Sequence, residues 1–337
     1  MRHISYYHYL FALGFITIVV ALVALCMGRY AVSIPELLEI VTSGILGQES
    51  TASLGAQNVV WLVRLPRVIA ALLVGSALAV SAATYQSVFK NPLAAPELLG
   101  VFPGACVGAA IAILLNLGNL PIQFLALSGG ITAVALTIFI TRAFKSDSTA
   151  ILVLSGVIVS GLMHSILGLL KYWMDYETQL PAITFWQMGS LADMSMQKVW
   201  MVAPTMIITM IVLLCMRWQF NLLSLGDSEA RSLGVNLKVI RGTTIVCSTL
   251  LTSCAVCLSG TVTWVGLIIP QLARMFVGPD NVKLIPITVF MGAIFLVIID
   301  TLGRTLSGVE IPLSILTGIV GAPVFIVLIM RQRMRVN

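Results

Sequence analysis

The chain has 337 residues, of which 59% are hydrophobic and only 9% are charged. About a quarter of the residues in a soluble domain are charged, so this composition excludes a water-soluble globule and requires a lipid bilayer as the apolar solvent. The net charge of +6 indicates membrane topology rather than nucleic-acid binding, because the basic residues lie between hydrophobic runs.

Uncharged apolar runs predict the transmembrane helices, since a helix needs about 20 apolar residues to cross the hydrocarbon core. Two runs are too long for one helix: 98–141 is interrupted at "NLGNLP" (116–121), and 242–273 near "LSGTVTW" (258–264). With each of these counted as two helices, the pattern predicts an all-α polytopic membrane protein with ten spans in one domain, residues 1–337. The other predicted spans are 9–28, 68–89, 148–170, 199–216, 284–299 and 311–330.

The charges in the predicted loops give the orientation. Ten spans place both termini on one side, and if that side is cytoplasmic, 13 of the 19 Lys and Arg residues are inside. The inside loops then carry a net charge of +8 and the outside loops −2, so the positive-inside rule predicts cytoplasmic termini. A cleavable signal peptide is not expected, because the first apolar run is long enough to span the bilayer and no A-x-A-like site follows it.

One polar stretch, "NLLSLGDSEARSLGVNLKVIRG" (221–242), separates the sixth and seventh predicted spans. Asp227 is predicted to cap a short helix and Gly234 to end it. In the predicted orientation this stretch faces the cytoplasm. It is either a solvated connector or a rigid surface that docks a partner.

The chain carries no sequence motif for catalysis, nucleotide binding or metal binding. It has no G-x-x-x-x-G-K-[ST] loop, no Rossmann glycine pattern and no H-E-x-x-H spacing. Cys254 and Cys257 form a C-x-x-C, but without a second pair or a nearby His they are expected to pack a helix. His164 is expected to be packed or pore-facing rather than a ligand. We therefore expect no catalytic residue, no metal and no cofactor in this chain.

Five motifs follow one another in a characteristic order: "RLPR" (64–67), "FKNPLAAPELLG" (89–100), "LLSLGDSEARSLGV" (222–235), "WVGLIIPQLAR" (264–274) and "GAPVFIVLIMR" (321–331). In these motifs the chain resembles the FecCD/BtuC-like permeases of binding-protein-dependent ABC importers. That family takes up iron–siderophores, haem and cobalamin, and some members carry molybdate or tungstate. The resemblance extends from residue 33 to the C-terminus.

The resemblance implies a BtuC-like fold in a bacterial inner membrane and a set of partners. These are a second copy of the chain, two ABC ATPase subunits that hold ATP and Mg, a periplasmic substrate-binding protein and membrane lipid, but no nucleic acid. Residues 221–241 would form the cytoplasmic coupling loop that sits in a cleft of the ATPase. Its coupling residues would be Leu225, Gly226, Asp227, Glu229, Ala230, Arg231, Leu233 and Gly234. The chain itself would not be an enzyme.

Two further sets of residues match positions with family roles. Ser148 and Thr149 match a small polar cytoplasmic gate, and Asn91 and Leu93 match a second constriction. Asn91–Pro92 is also typical of a simple turn between spans.

Arg64, Arg67 and Arg304 match outward arginines that receive acidic residues of the binding protein, so their guanidinium groups are expected at the periplasmic surface. The alternative is snorkelling and topology control at helix ends. Asp300 and Arg304, four residues apart, either neutralise each other or have a function within the membrane.

The cargo is less well defined than the class of protein. Ala95, Gln271 and Asn281 depart from the family pattern, which weakens assignment by resemblance. The fifth span has no charged residue between Ser148 and Leu170, which indicates a neutral path for a metal chelate. Molybdate or tungstate is the alternative cargo. A more distant alternative is an ion-coupled secondary transporter, which would place acids near the bilayer midplane, whereas here they lie at span ends or in loops.

Overall fold

The computed structural model of the chain describes residues 6–48, 50–144 and 149–333, and all regular secondary structure in those ranges is helical. A π-helical stretch (Val59–Arg64) leads into α4, and a 3-10 helix (Pro96–Leu99) precedes α5. In chain order the α-helices are α1 (Tyr6–Cys26), α2 (Ile34–Leu46), α3 (Leu54–Asn58), α4 (Leu65–Phe89), α5 (Val101–Leu114), α6 (Asn119–Ala143), α7 (Thr149–Trp173), α8 (Gln179–Met188), α9 (Met196–Cys215), α10 (Arg217–Leu225), α11 (Asp227–Ser232), α12 (Leu237–Ser259), α13 (Val265–Val277), α14 (Asn281–Thr305) and α15 (Leu313–Arg333).

Seven of the helices in the described ranges are long and apolar enough to cross a membrane: α1, α6, α7, α9, α12, α14 and the continuous helix Leu54–Phe89 that contains α4. Three shorter apolar helices, α5, α13 and the described apolar part of α15, occupy the places of the other three predicted spans. With its 14 residues, α5 is about 21 Å long at about 1.5 Å per residue. That is shorter than a hydrocarbon core of about 30 Å.

Both predicted breaks in the long apolar runs are confirmed. The first separates α5 from α6, where Asn116 and Gly118 have φ of 51° and 80°. The second separates α12 from α13, where Gly260 and Trp264 have φ of 68° and 73°. A left-handed residue cannot continue a right-handed helix, so each break lets the chain reverse.

Two helices outside the predicted spans, α2 and α8, are absent from the sequence prediction. The helix α2 begins with Ser33, whose hydroxyl accepts a hydrogen bond from the N–H of Glu36, and ends at Gly47 with φ of 66°. With 13 and 10 residues, α2 and α8 are shorter than the apolar runs of about 20 residues from which the spans were predicted. The second span also begins earlier than predicted, because the helix is continuous through its π-helical stretch from Leu54 to Phe89.

The helix α4 lies at the centre of the molecule and is buried along almost its whole length, between α14 and α12. Small residues make this possible. A Cβ atom added to Gly75 would lie 2.2 Å from the carbonyl oxygen of Gly292, and one added to Gly108 would lie 1.9 Å from that of Leu125. The pairs α4–α14 and α5–α6 therefore pack backbone against backbone, as small residues allow in membrane proteins.

Cys254 and Cys257 belong to this packed interior. Both are buried and free, and the Cys257 Sγ atom donates to the carbonyl of Cys254 at 3.1 Å. The prediction that they pack a helix is confirmed.

Contacts between loops define two ends of the helical bundle. At one end, which we call the coupling end, the segment 221–241 meets the last residues of α4 and the first residues of α12 and α14. At the other, which we call the arginine end, the C-terminus of α1 meets the start of α4 and the end of α14. The two candidate sites thus lie at opposite ends, and α4 runs between them.

Candidate coupling and gating sites

The coupling segment (221–241) contains the end of α10, all of α11 and the start of α12. Gly226 joins α10 to α11 with φ of 135°. Gly234, with φ of 80°, ends α11 as predicted, and its N–H donates to the carbonyl of Arg231 at 3.0 Å. The predicted cap at Asp227 is wrong, because no side chain caps α11 and the carboxylate of Asp227 is bound to Arg241 instead.

Asp227 ties α11 to two spans. The Nη2 atom of Arg241, in the first turns of α12, donates to both carboxylate oxygens of Asp227 at 3.0 and 2.9 Å. The Nζ atom of Lys90, at the end of α4, lies 3.8 Å from the same carboxylate. Charge-assisted bonds of this kind fix orientation as well as distance. One side chain therefore connects α11 to both α12 and α4.

Asn221 makes a second attachment, from α10 to α14. Its Nδ2 atom donates to Oδ1 of Asp280 at 2.7 Å, and its Oδ1 atom accepts from the backbone N–H of Asn281 at 2.8 Å. The Oδ1 atom of Asn281 in turn accepts from the hydroxyl of Ser87, in α4, at 2.6 Å. Asn281, a departure from the family pattern, thus has a structural role.

The other side of the coupling segment is open. Leu225 and Leu233 are about 60% exposed (61% and 60%), and Glu229 and Arg231 are also exposed, whereas Ala230 is fully buried. A hydrogen bond from the hydroxyl of Ser228 lowers the pKa of Glu229. The segment presents apolar and charged side chains together, a combination typical of partner surfaces.

Asn91 forms a side-chain turn between α4 and α5. Its Oδ1 atom accepts from the N–H of Leu93 at 2.9 Å, and its carbonyl accepts from the N–H of Ala94 at 3.0 Å. The amide of Gln271 donates to the carbonyl of Pro92 at 3.1 Å, so this departure from the family pattern supports the turn. The interpretation of Asn91–Pro92 as a turn is confirmed, while a constriction at Asn91 and Leu93 stays a prediction.

Thr149 is the first described residue of α7, and it lines a cavity together with Phe89 and Leu152. Ser148, the other predicted gate residue, lies outside the described residues. The gate therefore also stays a prediction.

Glu97 is a titratable group in the same turn region that the sequence prediction did not single out as a site. It lies in the 3-10 helix before α5, and burial raises the pKa of its carboxyl from the ordinary value of 4.5 to about 7. Burial disfavours the charged carboxylate of Glu97. The free energy of unfolding therefore decreases as the pH rises from 4.5 to about 7 and changes no further through this group above that.

At the arginine end, two arginines hold the C-terminus of α1. The Nη1 atom of Arg64 donates to the carbonyls of Leu25 and Cys26 at 2.7 and 2.8 Å. Arg304 donates to the carbonyl of Ala24. The last carbonyls of a helix have no partner within the helix and carry its negative dipole end, so both guanidinium groups stabilise this terminus.

Arg67 is the centre of a buried ion cluster. Its Nε atom donates to both oxygens of Asp300 at 2.9 and 3.1 Å, and its Nη1 and Nη2 atoms donate to Glu310 at 2.8 and 3.2 Å. The Nε atom of Arg304 lies 3.7 Å from Asp300. The carboxylate of Asp300 is therefore neutralised mainly by Arg67, a partner that the sequence prediction did not name, and Arg304 contributes only the more distant contact.

These contacts correct the expected position of the arginines. Arg64, Arg67 and Arg304 are only 3%, 5% and 7% exposed, so the expectation that their guanidinium groups project at the surface is wrong. The carbonyls of α1 and the two carboxylates satisfy them inside the chain. A role in docking stays a prediction, and such a role would act through the shape of this end rather than through free side chains.

Comparison with known proteins identifies the family. The model of the FecCD transport family matches residues 16–331. The chain belongs to the FecCD transport family. It is thus an ABC importer permease and a multi-pass membrane protein.

Individual FecCD relatives carry different names. The molybdate import system permease protein MolB of Haemophilus influenzae is 37% identical, with 99% of this chain and 98% of MolB aligned. The hemin transport system permease protein HmuU of Yersinia pestis is 38% identical over 81% of this chain and 84% of HmuU. A solved structure described as an inward-facing metal-chelate type ABC transporter is 37% identical, with a TM-score of 0.87 over 96% of this chain and 98% of that one.

The buried cluster gives a first testable prediction. Replacement of Arg67 by Gln leaves the carboxylate of Asp300, 2% exposed, without the Nε donor that both of its oxygens share. Loss of one partner from a buried pair costs about 3–5 kcal/mol, so the Arg67→Gln protein should unfold at a clearly lower temperature in detergent. Glu310→Gln should have a smaller effect, because the Glu310 side chain is 35% exposed.

Scanning fluorimetry of the purified chain measures both unfolding temperatures. Arg29→Gln is the matched control, since Arg29 is an exposed arginine at the same end of the molecule. Equal unfolding temperatures for Arg67→Gln and the unchanged chain would contradict a stabilising role of the cluster.

Proposed function

We propose that this chain is one of two identical permease subunits that together enclose a translocation path. One observation supports this most: α7 exposes Gly161, His164 and Ser165 on one face, in a helix long enough to span. The Nδ1 atom of His164 forms a hydrogen bond with the carbonyl of Ser160 on its own helix, at 2.8 Å. Polar groups are costly against lipid, so this face fits a path or a second subunit better than the bilayer.

We propose ten spans with both termini in the cytoplasm of a bacterial inner membrane. The loop contacts support the count, because successive apolar helices run alternately between the coupling end and the arginine end, α5 and α13 included. The orientation rests on the excess of Lys and Arg residues in the loops at the coupling end.

The proposed partner of the coupling segment is an ABC ATPase, with one ATPase subunit on each permease subunit. The exposed apolar side chains of the coupling segment, Leu225 and Leu233, would enter a cleft of the ATPase. Its charged side chains, Glu229 and Arg231, would fix how the segment is aligned in that cleft. ATP and Mg would be bound by that partner. A periplasmic substrate-binding protein would deliver the cargo at the arginine end.

The proposed cargo is a metal chelate of the iron–siderophore, haem or cobalamin type. The relative HmuU is named as a hemin permease, and a vitamin B12 permease, BtuC of Klebsiella pneumoniae, is 34% identical over 97% of this chain. Between Thr149 and Leu170 the sequence of α7 has no charged residue, which suits a large cargo that is handed over rather than bound tightly.

Molybdate or tungstate is the second candidate cargo. It is favoured by the relative named as a molybdate permease, MolB, which aligns over 99% of this chain. A charge-free path also suits an oxyanion, which gains nothing from carboxylates along its route.

The proposal is tested by reconstituting the chain with its ATPase and binding protein in liposomes. ATP-dependent uptake of a haem, cobalamin or iron–siderophore complex, or of molybdate measured by its metal content, is expected. Uptake driven by an ion gradient without the ATPase would contradict the proposal.

The variant with Glu229→Lys and Arg231→Glu should bind the ATPase about tenfold more weakly because it reverses the charges at the interface. Arg29→Glu, at the opposite end, should not.

The gate is tested by cross-linking. Thr149→Cys, introduced together with Cys215→Ser to remove an exposed native thiol, should form a disulfide between the two subunits in the closed state and block transport. Trp200→Cys is the control, because Trp200 is 65% exposed on α9, away from the proposed path. Failure of Thr149→Cys to cross-link in every nucleotide state would contradict a gate at this position.

A further inference from the structure

A cavity of about 590 Å³ lies at the coupling end, between α6, α7, α11 and α12. Its walls include the last turn of α6 and the first turns of α7 and α12. These are the ends of membrane-crossing helices, where the headgroups of a bilayer lie. The cavity therefore lies at the depth of the lipid headgroups.

One side of the cavity is strongly basic. It is lined by Arg142, Arg231, Lys238 and Arg241, and no Asp or Glu lines it in the described part of the chain. Arg241 shares its charge with Asp227 at the rim. Thr149, at the N-terminal end of α7, also lines it, which adds the positive end of a helix dipole. Arg142 and Arg231 are exposed, so the positive charge on this side favours an anionic ligand.

The other side of the cavity is apolar. It is formed by Phe89, Ile138, Leu152, Ile245 and Val246. A small hydrated anion would gain nothing from such a wall, whereas an amphiphile with an anionic head would bury apolar surface there. Basic pockets between transmembrane helices are suited to the headgroups of anionic lipids.

We propose that this cavity holds an anionic phospholipid, with its phosphate among the arginines and the first part of an acyl chain on the apolar wall. Because Arg231 belongs to α11 and Arg241 is bound to Asp227, the lipid headgroup would rest against the coupling segment. Only this last consequence rests on the proposed function. Lipid binding itself does not depend on transport or on the ATPase.

The experiment measures lipid retention by native mass spectrometry of the full chain in neutral detergent. Phosphatidylglycerol and phosphatidylcholine with identical acyl chains are added separately. The unchanged chain should retain phosphatidylglycerol at least about tenfold better, because only that lipid has a net negative charge to meet the basic wall. The double variant Arg142→Gln with Arg231→Gln should lose this preference and retain the two lipids equally.

A second variant tests the cavity without changing its charge. A Cβ atom at Gly242, which lines the cavity, would meet no atom within 4 Å. A side chain can therefore start at this position without a clash at its Cβ atom, and Gly242→Trp should lower the retention of phosphatidylglycerol while the protein remains monodisperse. Arg29→Gln, at the opposite end, is the matched control and should retain the lipid as the unchanged chain does.

Three results would overturn the proposal. The first is equal retention of both lipids by the unchanged chain, and the second is full retention of phosphatidylglycerol by both cavity variants. The third is displacement of the lipid by millimolar inorganic phosphate or molybdate, which would assign the basic wall to a free anion. Because no nucleotide or cargo is present, a failure here is distinguishable from a failure of the proposed transport function.

Discussion

The burial of α4 is the constraint on which the rest of the structure depends. A helix surrounded by other helices in a membrane must pack closely, because lipid offers no hydrophobic driving force between helices. Gly75 meets the backbone of Gly292 in α14, and small residues along α4 let α12 approach as well. A shift of α4 would disturb both neighbours, so this helix forms a closely packed connection between the two ends of the molecule.

Polar contacts fix each end of α4. At the arginine end, Arg67 gathers Asp300 and Glu310, while Arg64 holds the carbonyls of α1. At the coupling end, Lys90 and Ser87 lead to Asp227 and Asn281 of the coupling attachments. In the proposed transporter, a closely packed helix that is attached at both ends would transmit displacement between two conformational states.

The sequence predicts the class of fold well because hydrophobic run length is a strong signal in membrane proteins. The breaks at 116–121 and 258–264 were predictable from polar and glycine residues, and both are present. The helices α2 and α8 were not, since a helix of 10 or 13 residues beside a membrane leaves no run of span length.

Side-chain partners were harder to predict than helices. An arginine near a span end has the same sequence signature whether it projects outward or turns inward to a carboxylate more than 200 residues away, as Arg67 does with Asp300. Asp227 shows the same limit: its position before a short helix predicts a cap, but the competing bond to Arg241 depends on how α11 folds back on α12. The polar segment between the sixth and seventh spans was predictable because it rests on local polarity, whereas the basic cavity was not, because its four cations come from three helices.

In the proposed transporter, Asp227 passes the movement of the coupling segment to α4 and α12. The direct measurement is the number of ATP molecules hydrolysed per cargo molecule imported by the reconstituted complex. Asp227→Asn should keep the ATPase bound and active but raise this ratio several-fold, because the neutral side chain loses its charge-assisted bonds to Arg241. Asp227→Glu, which keeps the charge, should stay near the unchanged ratio. An unchanged ratio in Asp227→Asn would contradict the claim.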